Sequence, residues 1–180
     1  MGQGAPSAWG DAVLGADLNV RDLTDSENAR LVDLANVVTR LRTAVERNHH
    51  GDVVGAHKPE APTRFAAQLA NAVRSGMAFG LDPETAMARA ARYARDSIPP
   101  NRWNALNYVL GHPRAEPGEV YLKFDRSLWA VKNDFEILRV LRVARAEGCE
   151  ERRVGRLAAV QRYTLTSLLN RQILETLRQA

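Results

Sequence analysis

Asn101-Arg-Trp-Asn-Ala-Leu-Asn-Tyr-Val-Leu-Gly111 opens the stretch whose reading decides the fold. Trp103, Leu106, Val109 and Leu110 recur at helical spacing, and Gly111-His112-Pro113 ends the run. Pro117-Gly-Glu-Val-Tyr-Leu-Lys-Phe124 follows as a second short helix with Val120, Tyr121 and Phe124 apolar. Asp125 or Ser127 can cap a third, longer helix running to about Ala146, with Val131, Phe135, Leu138 and Leu141 on its buried stripe. Glu150 to Thr166 then reads as two strands turning at Gly155, since Gln161, Tyr163 and Leu165 alternate with Val160, Arg162 and Thr164. A helix continuing through Val154, Leu157 and Val160 is the competing reading, and Gly148 and Gly155 count against it. Helix, helix, helix and hairpin in this order over residues 101–166 predict a winged helix-turn-helix.

Working outward, the preceding chain predicts three helices. Thr24 with Glu27 has the capping-box spacing, and Leu31, Leu34, Val38, Leu41 and Val45 extend one face toward Asn48. Pro62 opens a second helix with Phe65, Leu69, Val73 and Met77 on one stripe, and Gly80 closes it. Asp82 and Pro83 start a third with a small-residue face of Ala86, Ala90, Tyr93, Ala94 and Ile98. Ser97-Ile98-Pro99-Pro100 breaks it, because a residue before proline is driven out of helical geometry. Ser167 can cap a last helix carrying Leu168, Leu169, Ile173 and Leu177. The expected class is therefore mainly α: a flexible leader over 1–23, a three-helix bundle over 24–100, the winged unit over 101–166 and a C-terminal helix over 167–180.

Charge is split along the chain. Residues 1–100 hold 11 Lys and Arg against 12 Asp and Glu, a net of −1, while residues 101–180 hold 14 against 9, a net of +5. A basic face attracts phosphates without reading sequence, although arginine-rich surfaces can also be merely solvated. On the third helix of the unit, Arg126, Ser127, Trp129, Lys132 and Asn133 are the expected DNA contacts, since the N-terminal part of that helix enters the major groove. Arg152, Arg153 and Arg156 are expected to reach the DNA backbone or minor groove from the hairpin. Asp134 and Glu136 oppose this, because a carboxylate beside a phosphate costs energy, and Trp129 is bulky for a groove-facing site.

Other chemistry is not indicated. Gly-x-Ser-x-Gly, His-Glu-x-x-His, Gly-x-Gly-x-x-Gly and any Gly-Lys pair are missing from the sequence, so no enzyme and no cofactor are expected. His49-His50-Gly51-Asp52 reads as a polar turn, not a metal site, and His57 and His112 are isolated. One cysteine, Cys149, precludes an intrachain disulfide and fits a cytoplasmic protein. No run of apolar residues is long enough for a membrane span. Double-stranded DNA is the expected partner, with a second copy docked through the last helix as a further one.

An ordered set of short motifs adds a resemblance. Arg40-x-Arg42 with Val45-Glu-Arg47, Pro59-Glu-Ala-Pro-Thr-Arg64-Phe, Gln68-Leu69-Ala70 and Arg95-Asp-Ser-Ile-Pro-Pro100 are similar to the end of a group of bacterial AAA-type ATPase-like proteins, across residues 24–166. The resemblance implies a helical lid followed by a winged helix, and it implies a nucleotide-sensing role for Arg64 wherever a nucleotide-binding core is present. The phosphate loop of such a core is lacking here. A DNA-binding unit in transcription or DNA replication and maintenance is the leading expectation. A protein-interaction module and a C-terminal regulatory piece of an ATPase are the alternatives.

Overall fold

The structure is a computed structural model that describes residues 20–153, 156–167 and 170–180. The side chains of Cys149 to Ala159 lie outside what is described, as do Val154-Gly155 and Leu168-Leu169 altogether. The chain is mainly helical, as expected, with two antiparallel hairpins. The leader read over 1–23 falls outside the described residues up to position 19.

Helix α1 spans Asp25–Arg42. Its start is the capping box foreseen: the Glu27 amide donates to Thr24 Oγ1 at 3.2 Å, and the Thr24 amide donates to Glu27 Oε2 at 2.8 Å. Hydrogen bonds from Arg21, and then from the Thr24 amide, hold the Glu27 carboxyl down at about 2. The far end departs from the expectation. The helix stops at Arg42, and Val45–Arg47 (β1) pairs antiparallel with Val53–Ala56 (β2). Val45 fits the helical period, but tertiary contacts outweigh it. The Arg102 guanidinium donates to the carbonyls of Leu41 at 2.6 Å and Thr43 at 2.7 Å, so the chain end is tied off there. Asn48 to Asp52 form the turn, with Gly51 at φ +85, a conformation that suits glycine.

Helices α2 (Pro62–Ala78) and α3 (Pro83–Asp96) complete the bundle. Phe65, Leu69 and Val73 are buried on α2, and Gly80 at φ +85 turns the chain after it. Asp82 Oδ1 accepts from the Thr85 amide at 3.0 Å and caps α3, whose Ala86, Met87, Ala90, Ala91 and Ala94 face inward. Tyr93, expected on that inner face, is 54% exposed, because the alanine stripe packs too close to α2 for a phenol ring to enter.

Helix α4 (Pro100–Gly111) begins directly on Pro100 and buries Leu106, Val109 and Leu110. Residues of the bundle and of the following unit belong to one buried apolar cluster. Helix α5 (Pro117–Val120) is a single turn, shorter than the segment to Phe124 read from the sequence. Helix α6 (Leu128–Val140) is capped by Ser127, whose Oγ accepts from the Ala130 amide at 3.2 Å. It ends six residues before Ala146. Arg142 takes φ +58, its amide donates to the Arg139 carbonyl at 2.9 Å, and the Val143 amide donates to the Leu138 carbonyl at 2.8 Å. This double bond is a helix-ending motif that ordinarily places glycine where Arg142 stands.

The second hairpin starts earlier than expected, with β3 at Ala144–Arg153 and β4 at Arg156–Leu165. The register runs from Ala144 opposite Leu165 to Arg153 opposite Arg156. Tyr163 is 1% exposed, in keeping with a strand that alternates. Ala115, between α4 and α5, bonds Tyr163 in both directions at 2.9 and 2.8 Å, adding a third, one-residue strand. The neighbouring Glu116, buried, accepts from Arg162 Nε at 3.0 Å and fixes that bridge. Helix α7 (Arg171–Gln179) is capped by Asn170, not by Ser167, and buries Ile173, Leu174 and Leu177 across α1 and α3. Its described apolar residues pack within their own chain, while Leu168 and Leu169, read as part of the same stripe, lie outside the described residues.

Arg102→Ala leaves two carbonyls without their donor. We expect a loss of about 2–3 kcal/mol in denaturant unfolding, and faster amide exchange in β1 and β2 than in α6. Unchanged exchange in the hairpin would contradict the tie.

Candidate nucleic-acid interface

The elements α4, the Ala115 bridge, α5 and the β3–β4 hairpin lie on one side of α6. Val131, Phe135 and Leu138 are its stripe toward this unit, and Phe135 meets the Tyr163 ring edge-on at 5.1 Å between centroids. Strand β2 packs against α6, and Asn133, Asp134 and Ile137 of α6 are buried besides the stripe just named. What stays open on α6 is a stripe at steps of three and four: Trp129, Lys132, Glu136 and Arg139. This stripe floors a cleft of ≈ 500 Å³. Asp52 and Val53 of the first hairpin form one wall, and Ala146, Gln161 and Tyr163 form the other.

The expected contacts divide accordingly. Trp129 is 54% exposed, and its ring lies over Gly51, where a Cβ would stand 3.3 Å from Trp129 Cη2. Lys132 is exposed on the same stripe. Asn133 lines the same cleft but is only 8% exposed. Arg126 is held by Asp134, and the Ser127 hydroxyl is engaged as the cap of α6. The structure therefore brings Trp129, Lys132 and Asn133 to one cleft, while Arg126 is paired with Asp134 and the exposed Ser127 caps α6. Arg152 and Arg153 of β3 lie near Arg156 of β4 by register, at the far end of the hairpin, and their side chains fall outside what is described. Arg64 is exposed in the first turn of α2 and is no part of this cleft.

The two acids that counted against DNA contact are both accommodated. Burial pushes the Asp134 carboxyl above its ordinary value, while Arg126, with Arg47 and Arg102 behind it, draws it back. Glu136 accepts from Tyr163 Oη at 2.5 Å and from Arg139 Nε at 2.6 Å, so both of its oxygens are occupied. Burial first, and then this bond to Glu136, raise the Tyr163 phenol well above its usual value, so it stays a donor. The open stripe is consequently less acidic than the sequence suggests.

Arg139 is the residue that sequence reasoning missed. It stands seven positions after Lys132 and three after Glu136 on the open stripe, a spacing visible in the sequence. No group of His, Cys, Asp and Glu suited to a metal ion occurs among the described residues, and His49-His50 sit in the exposed β1–β2 turn. No described helix is long and apolar enough to cross a membrane. No protein-family model, curated protein or solved structure matches the chain.

Arg126→Ala leaves the Asp134 carboxylate buried with less compensation and should cost about 2 kcal/mol near neutral pH. Because the folded carboxyl already lies above its unfolded value, its ionisation weakens the fold as pH rises through that window. Arg126→Ala raises it further, so the deficit against the parent shrinks on acidification and vanishes once Asp134 is protonated in both. Unfolding curves at several pH values check this; a pH-independent deficit would refute it.

Proposed function

We propose that the chain binds double-stranded DNA through its winged unit, in transcriptional control or in DNA replication and maintenance. One observation carries the reading: the order helix, bridging strand, helix, helix, hairpin, closed by Ala115 on Tyr163, with an exposed Lys132 on the third helix. In such units the third helix approaches the major groove and the hairpin follows the backbone. Lys132 and Arg139 supply cations along the open stripe, and Trp129 gives it a flat apolar end. Arg152, Arg153 and Arg156, clustered at the hairpin end by register, are the proposed backbone contacts. Base-edge contacts from α6 are then few, so affinity rests on phosphates more than on sequence.

Binding to random duplex DNA should fall steeply with salt. Arg152→Ala with Arg153→Ala should weaken binding to every sequence and lower the slope of log K against log salt by about 2; Lys132→Ala should lower it by about 1. A parent protein that fails to bind duplex at low salt would remove the proposal.

A second reading has its own observation. Leu122 is 76% exposed, Leu128 37% and Trp129 54%, all around the α5–α6 turn. An apolar patch there suits a protein-interaction module. Absence of retention on both duplex DNA and heparin would favour it.

A further inference from the structure

A second cleft, of ≈ 600 Å³, lies at the other end of α6, where Arg139 lines both. It is enclosed by Arg40 from the last turn of α1, Gly55 to His57 at the end of β2, Pro59, and Arg139 to Arg142 at the α6–β3 turn. Its size is that of a small-ligand pocket. Three arginines and a histidine line it, and no carboxylate does.

We propose that this cleft is a phosphate-binding site formed by Arg40, Arg139 and Arg142, and that a backbone phosphodiester of bound duplex DNA occupies it. The second half of that statement rests on the DNA-binding reading; the first does not.

Like charges meet at this cleft. Two helix ends converge here, and each brings cations to its last turn, a placement the helix dipole favours. Capping is not what these side chains do. The carbonyls of Leu41 and Thr43 are taken by Arg102, and those of Leu138 and Arg139 by backbone amides. The guanidiniums of Arg40 and Arg142 have no hydrogen-bond or ion-pair partner among the described residues, whereas Arg139 is steadied by Glu136. Cations gathered without an anion repel one another, and planar guanidiniums match phosphate oxygens in pairs.

Arg142 adds an independent observation. It occupies φ +58, in a helix-ending turn where glycine fits without strain. An arginine there is unfavourable for the backbone, and the residue lines the cleft. Outliers of this kind concentrate where a side chain is needed for binding. The source of the phosphate follows from continuity. Lys132 to Arg139 covers about 10 Å of the open stripe, and β2 runs beside the helix from one cleft to the other. A strand seated over Lys132 leads past Arg139 to Arg142 and Arg40.

The test is Arg40→Gln combined with Arg142→Gly, compared with the parent for duplex binding across a salt series. Arg142→Gly alone relaxes the turn, so its melting temperature should not fall, and it should still lower the salt slope by about 1. The double variant should lower the slope by about 2 and the affinity at low salt by at least about tenfold. If the parent binds duplex and the variants match it in slope and affinity, the phosphate site is overturned while DNA binding stands. If the parent does not bind duplex, the occupant is wrong, and inorganic tripolyphosphate titrated into the full chain decides the site. Saturable shifts of the Ala56 and Val143 amides, absent in the double variant, would keep a site for free polyphosphate; no saturable shift would overturn it.

Discussion

The guanidinium of Arg102 on the carbonyls of Leu41 and Thr43 fixes how the two halves of the chain meet. Arg102 sits in the first turn of α4, so it joins the end of α1 to the start of the C-terminal unit. Burial, with Arg47 adding to it and Asp134 opposing, lowers the Arg102 pKa, yet a guanidinium so placed keeps its proton. Everything that follows α1 inherits this anchor. The chain leaves the helix at Thr43, turns back as β1 and β2, and lays β2 along α6. A hydrophobic contact could bring the same surfaces together, but it would not set their angle. Two charge-assisted bonds to carbonyls two residues apart do.

The consequence for α6 is a helix confined on two sides. A free helix-turn-helix presents about half of its third helix to solvent. Here β2 and the unit's own core leave a stripe of one residue in three or four. The same packing puts Asp134 inside with Arg126, and it sets Glu136 between Tyr163 and Arg139. Burying a charge is costly unless it is paired, and both acids are paired. The polar side chains near α6 therefore serve the architecture first, and on the open stripe the one acid, Glu136, is engaged by Tyr163 and Arg139.

Much of this was legible in the sequence. The caps at Thr24 and Asp82, the prolines at positions 62, 83 and 100, and the stripes of α2, α4 and α6 are local signals, and local signals dictate those elements. The β1–β2 hairpin was not legible, because Val45 continues the helical period and Arg102, 55 residues and more downstream, overrules it. The Ala115 bridge left no mark either; a single paired residue has no periodicity. The length of α6 was overestimated because Val143 and Ala146 remain compatible with a helix until Arg142 turns left-handed. For the interface, the sequence identified Trp129 and Lys132, whose exposure follows from the stripe. Asn133, also read from the sequence, lines the same cleft, while the pairing of Arg126 with Asp134 left no mark in the periodicity. The cleft of Arg40 and Arg142 joins residues a hundred positions apart and has no local signature.

The β3–β4 hairpin has a mechanical side. Its strands are ten residues each, about 30 Å of arm, and its described buried residues lie toward the end where Ala144 meets Leu165. Such an arm is a lever with its fulcrum beside Tyr163. Tilting it by about 10° sweeps the arginine end through about 5 Å for an arm of that length. The Tyr163 phenol donates to Glu136 of α6 and its ring meets Phe135 edge-on, so the base of the arm is tied to that helix by a hydrogen bond and by ring packing together.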